Sequence, residues 1–183
     1  MTAVTPTGTS ATRLIVLRGN SGSGKSTVAR AVRERYGRGC ALVEQDYLRR
    51  IVLRELDGDG GIAPALVAQT VRFALDHGYH VVLEGILARA RYGSVLSCLF
   101  RAHRGRAAVF YFDVTWEETL RRHADRPQAT EFSADDMKKW WLPRDLLGVA
   151  GERVISEELS QAATVDLVAR ELDGVPPATR ILD

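Results

Sequence analysis

Short runs of apolar residues alternate along the chain with longer stretches in which apolar positions recur every three or four residues. The short runs, at 14–18, 41–44, 80–84, 107–112 and 152–155, predict strands. The longer stretches, at 25–36, 48–56, 63–77, 92–103, 115–124, 134–147 and 160–172, predict helices. Strands separated by helices pair in parallel, because a helical crossover returns the chain to the same end of the sheet. VVLEG at 81–85 and AVFYF at 108–112 lack in-and-out alternation, the mark of strands covered on both faces. The predicted class is therefore α/β, three layers deep, with a parallel sheet of about five strands and helices on both sides.

Turn residues fall where these elements end. Gly37 and Gly39 stop the first helix, DGDGG at 57–61 makes a loop, and Pro64 suits the first turn of the next helix. Ser133, followed by Asp136, is close to a capping box without matching its Glu/Gln form.

Composition narrows the class. At 183 residues, 45% hydrophobic and 26% charged, the chain fits one soluble domain, expected over 13–175, with tails at 1–12 and 176–183. MTAVTPTGTSAT lacks the charged-then-apolar order of a signal peptide and reads as a loose tail. No run approaches the 18 apolar residues of a membrane span. A net charge of +2, with acids and bases interspersed, disfavours long nucleic acids and membrane surfaces as partners. Cys40 and Cys98 are expected to be buried thiols, and the protein cytoplasmic. Nothing in the sequence fixes an oligomeric state.

One position breaks the chain's habits. Of its 25 basic residues only Lys25, Lys138 and Lys139 are lysine. Lys25 stands between Gly24 and Ser26, in a stretch that places an ammonium where this composition would otherwise supply arginine. Gly19, Asn20, Ser21, Gly22, Ser23, Gly24, Lys25 and Ser26 match the phosphate-loop pattern G-x-x-x-x-G-K-[ST]. That pattern arises by chance about once in a hundred chains of this length. Here it also lies between a predicted strand and a predicted helix. Its glycines let main-chain amides turn toward a phosphate, and the helix that follows presents its positive end. Lys25 would reach the β- and γ-phosphates, Ser26 would take Mg²⁺, and Thr27 joins the nucleotide-binding set.

A phosphate loop alone does not separate a switch, a motor and a kinase. A GTPase would need an Asn-Lys-x-Asp base reader, which three lysines at 25, 138 and 139 cannot provide. The chain is also short for a motor core. What it does have is an acid at the end of the second strand and another at the end of the third, Asp46 and Glu84. In parallel sheets the ligand lies beyond the carboxyl ends of the strands, so both acids would face the loop.

GNSGSGKST at 19–27, EQDY at 44–47, VVLEG at 81–85 and ETLRRHADRP at 118–127 together resemble the small P-loop phosphotransferases. These include gluconate and shikimate kinases, chloramphenicol phosphotransferase and the zeta-toxin-like kinases. The resemblance implies a three-layer P-loop kinase fold with a small lid, about 122–135, and transfer of the γ-phosphoryl of ATP, with Mg²⁺, to a hydroxyl of a small molecule. It gives Asp46 the proton-accepting role, although an aspartate there also suits a helix N-cap. It places Glu84 at the metal, its waters or the substrate. It makes Arg122 and Arg126 lid residues that close over the transferred phosphoryl, although two arginines at a helix C-terminus also complement its dipole. Nucleoside, nucleotide or nucleic-acid-end phosphorylation, and nucleotide binding without catalysis, stay open as alternatives.

For the acceptor, Arg89 and Arg91 in ILARARY follow Glu84 and could hold an anionic or polar group. Trp140 and Trp141, on one predicted helix with Asp136, Arg144 and Asp145, divide between core and binding surface, since adjacent helical positions point about 100° apart. Tyr47 and Tyr92 read first as packing residues. The four histidines show no metal-ligand spacing.

Overall fold

The computed structural model describes residues 5–56, 60–124 and 133–174. Its centre is β1 (Arg13–Gly19), whose Leu14, Ile15, Val16 and Leu17 are fully buried. Beside it lie β2 (Cys40–Glu44), β3 (His80–Gly85), β4 (Arg106–Asp113) and β5 (Glu152–Ser156), in the order β2-β3-β1-β4-β5. All four pairings are parallel. The unbroken apolar runs are explained by this arrangement. Leu14 and Val16 pack into one cluster with Val67, Val71, Leu83 and Leu96, and Ile15 and Leu17 into another with Val28, Val32, Phe110 and Val168. Each fully buried aliphatic side chain adds roughly 1.5–3 kcal/mol of hydrophobic stabilisation.

Helices α1 (Lys25–Tyr36) and α6 (Gln161–Ala169) cover one face of the sheet, and α2 (Ala63–Asp76) and α3 (Arg89–Ala102) the other. α4 (Trp116–Ala124) and α5 (Ala134–Lys139) lie on either side of the segment expected to form a lid. Most of 122–135, with Arg126, lies outside the described residues. At the start of α5, Ser133 and Asp136 do form the full reciprocal capping box, aspartate serving in place of glutamate.

Three expectations need correction. The helix predicted over 134–147 ends at Lys139. Leu142 precedes Pro143, which disfavours helical backbone at 142, and Arg144 takes a left-handed φ of 46°. The stretch predicted as helix at 48–56 is instead a π-helical turn, Tyr47–Val52, with Leu53 N–H bonded to Leu48 O at 3.0 Å. Cys40 is buried, and burial pushes its thiol up to about 12, but Cys98 is exposed on the outer side of α3.

Residues 5–12 are not a loose tail either. Thr7 bridges to His103 and bonds Asp76 at 2.7 Å, and Thr12 is fully buried with its hydroxyl 3.0 Å from His103 Nε2. Thr12 gives its own proton to Thr9 O, so His103 Nε2 donates to it. His103 Nδ1 is then buried with no partner. Burial first, then the charges of Arg13 and His80, press the imidazole down to about 4. The folded state therefore favours the neutral ring. This contribution is complete above the ordinary histidine value near 6.5 and is lost as pH falls toward 4, by up to about 3 kcal/mol. NMR titration should show His103 neutral at pH 5.5, and urea unfolding should show stability declining below pH 6.5. A ring titrating near 6.5 would contradict this packing.

Candidate active site

β1 runs directly into the glycine-rich loop, between β3 and β4, so the loop faces the crevice at the carboxyl end of the sheet. Gly24 sits at φ 96° and turns the chain into α1, whose first amides have no side-chain cap. Gly22, at φ 83°, lies under α4. A Cβ there would stand 2.7 Å from Thr119 Cγ2, so only glycine lets helix and loop approach this closely. The result is a concave run of amides at a helix N-terminus, the shape and polarity of an anion site.

Lys25 is buried at the floor of the cradle, its Nζ donating to Asn20 O at 3.0 Å. Ser23 Oγ is buried there without a partner. Next in α1, Ser26 Oγ donates to Glu84 Oε2 at 3.0 Å. Glu84 is buried at the end of β3, and burial pushes its carboxyl upward against the opposing pull of Lys25 and the Ser26 hydrogen bond. A hydroxyl and a carboxylate side by side are hard oxygen donors of the kind Mg²⁺ takes in ones and twos, leaving its other positions to phosphate and water. Ser26 and Glu84 thus fit that ion, and Thr27 looks the other way. It lines a cavity of about 400 Å³ with Ser23, Gly24, Arg121, Arg122 and Thr164.

Arg122 reaches the loop from α4. Its Nη1 donates to Ser23 O at 3.0 Å and its Nε to Glu118 Oε1 at 2.6 Å. Hydrogen bonds from Arg121 and Arg122 hold the Glu118 carboxyl down at about 2. So Arg122 is oriented over the cradle by an acid one turn earlier, which goes beyond complementing a helix dipole.

Asp46 stands just past β2, half exposed, and caps nothing: its carboxylate takes Arg49 at 2.8 Å and Arg50 at 3.3 Å. Arg89 is exposed at the start of α3, and Arg91 pairs with Glu55 at 2.5 Å. Tyr92 is buried and takes a hydrogen bond from Gln45 at 3.1 Å, whereas Tyr47 is exposed. Trp140 and Trp141 are both half-buried and off any helix, and Trp141 meets Trp116 edge-to-face with centroids 5.1 Å apart.

The sequence reading missed one buried cation. Arg18, the last residue before the loop's first glycine in register with Gly85, is fully buried. It bonds Asp145 Oδ2 at 2.7 Å, Leu87 O at 3.0 Å and Glu152 at 3.3 Å, with its guanidinium over the Tyr111 ring. An arginine inside an otherwise apolar central strand was the available signal.

A family model described as an AAA domain matches residues 14–140. The chain belongs to that AAA domain family. No curated protein matches it. Among solved structures, this AAA domain is similar to the APS kinase of Mycobacterium tuberculosis in complex with AMPPNP and APS. Identity there is 17% and the TM-score 0.69, over 92% of this chain and 99% of that one. It is also similar to a gluconokinase of Sinorhizobium meliloti (18% identity, TM-score 0.57, 92% and 93% covered). A shikimate kinase of Acinetobacter baumannii in complex with shikimate matches at 21% identity and TM-score 0.55, over 89% and 92%. The AAA domain described here thus has the fold of the small P-loop kinases, as the resemblance of its motifs implied.

Proposed function

We propose that this AAA domain is an ATP-dependent kinase that transfers the γ-phosphoryl group to a hydroxyl of a small molecule. The observation that carries it is the grouping of a buried lysine, the Ser26–Glu84 oxygen pair and Arg122 around one amide cradle. The acceptor oxygen would form its bond to the γ-phosphorus as the bond from that phosphorus to the bridging oxygen of ADP breaks. Asp46 would take the hydroxyl proton, and Lys25 and Arg122 would face the charge on the transferred group. Mg²⁺, held through Ser26 and Glu84, would supply neutralisation of the phosphate oxygens. Glu84 and Arg89 are the proposed contacts to the acceptor. Tyr47, Ile51 and Val52 stand exposed on the turn that follows Asp46, which suits an acceptor with an apolar part.

The test has two arms. Calorimetry with magnesium present should show ATP binding with a Kd of roughly micromolar order. A screen with γ-labelled ATP should then label a small alcohol. Labelling confined to nucleosides or oligonucleotide ends would redirect the reading to those acceptors, and ATP uptake without any product would leave a nucleotide-binding protein.

A further inference from the structure

Arg18 and Asn20 flank the first glycine of the loop, and both side chains end on one distant segment. Asn20 Nδ2 donates to Leu142 O at 2.7 Å, and Leu142 N–H donates back to Asn20 Oδ1 at 2.9 Å. One side-chain amide thereby satisfies both main-chain groups of Leu142, as a neighbouring strand would. Three residues on, Arg18 binds the carboxylate and the main-chain oxygen of Asp145. Asp145 in turn accepts Arg89 N–H at 2.8 Å, at the start of α3. Ahead of this segment, buried Met137 of α5 comes within 3.7 Å of where a Cβ on Gly22 would stand. The strap from α5 to Asp145 is therefore fastened to the phosphate loop rather than draped over it. It borders a cavity of about 430 Å³ lined by Asn20, Asp113, Thr115, Trp141 and Arg144.

Asn20 also carries the other half of the connection. Its main-chain oxygen is the group that Lys25 Nζ meets at 3.0 Å. A triphosphate in the cradle competes for that ammonium, so its arrival changes the load on the Asn20 peptide, the same residue whose side chain holds Leu142. We propose that Asn20 is a positioning residue that transmits occupancy of the phosphate loop to the 140–145 strap, resetting Trp141 against Trp116. This rests on the reading of the loop as a triphosphate site. The coupling needs no long pathway, because one residue touches both ends.

All three tryptophans, at 116, 140 and 141, lie on or beside the strap, so intrinsic fluorescence reports on it directly. AMPPNP with magnesium should change that fluorescence in the wild type. In Asn20→Ala the fluorescence response at saturating AMPPNP, with saturation verified by calorimetry, should fall at least about fourfold. Asn20→Asp keeps the size but turns a carboxylate oxygen toward Leu142 O. It should lose the response likewise, and it carries the test should the alanine variant not fold. Trp141→Phe should remove most of the signal. A full response in both Asn20 variants, or AMPPNP binding by the wild type with no response, overturns the coupling. Absence of AMPPNP uptake by the wild type overturns the underlying site reading instead, and the coupling with it.

Discussion

Lys25→Ala is expected to lower phosphoryl transfer at least a thousandfold, a loss of about 4 kcal/mol of transition-state stabilisation. Lys25 is buried, and its ammonium donates to the neutral main-chain oxygen of Asn20. In a site shielded from water an ammonium acts on phosphate charge far more strongly than it would on the surface. Binding energy is lost as well, so ATP affinity by calorimetry should fall at least about tenfold. Lys25→Arg should rescue neither quantity. The wider planar fork needs room that the Asn20 carbonyl, 3.0 Å from Nζ, does not leave. Rates measured with labelled ATP and the acceptor found by screening decide the matter: a loss under tenfold would mean that the ammonium does not meet the transferred group.

The arginine richness of the chain gives this prediction its contrast. Arg30, Arg49, Arg91 and Arg122 each meet a carboxylate, the role that a forked cation fills best. Under the proposed function, lysine is kept for the buried position where a point charge would pass from Asn20 O to phosphate.

What could be read from the sequence was local. The five strands fall within about one residue of their predicted ends, because a parallel sheet covered on both faces needs unbroken apolar runs and nothing else explains them here. The cradle was legible for the same reason, since its glycines, lysine and serine are consecutive. Glu84 was legible as a strand-end acid, and its pairing with Ser26 follows from β3 lying beside β1. The strap was not. Leu142 lies 122 residues from Asn20, and Asp145 lies 127 from Arg18. Neither partner is named by any local pattern. The apolar spacing through 134–147 even argued for helix, and it lost to Pro143 and to the two hydrogen bonds that Asn20 offers Leu142. Trp141 changed setting with it: off the helix, it is the edge-to-face partner of Trp116 and lines the cavity of about 430 Å³ beside Asn20.

Asp46→Ala is expected to reduce transfer at least a hundredfold, about 2.7 kcal/mol, while ATP affinity stays within about threefold. The two halves of the site stand on different elements. The cradle, Lys25, Ser26 and Glu84 sit on β1, α1 and β3, whereas Asp46 follows the edge strand β2 and turns its carboxylate to Arg49 and Arg50. Removing it leaves the nucleotide's contacts in place. What it would remove is the proposed acceptor for the hydroxyl proton, a carboxylate held at the end of β2 by Arg49 and Arg50. The N-cap role would predict the reverse, a loss of about 1 kcal/mol of stability with catalysis kept, but the Asp46 side chain makes no cap bond. Asp46→Asn distinguishes charge from shape, since it keeps the side chain's size and loses the base; it should be as slow as the alanine variant. Rates with labelled ATP check both variants, and an Asp46→Asn rate within about tenfold of the wild type would assign the proton to a different group.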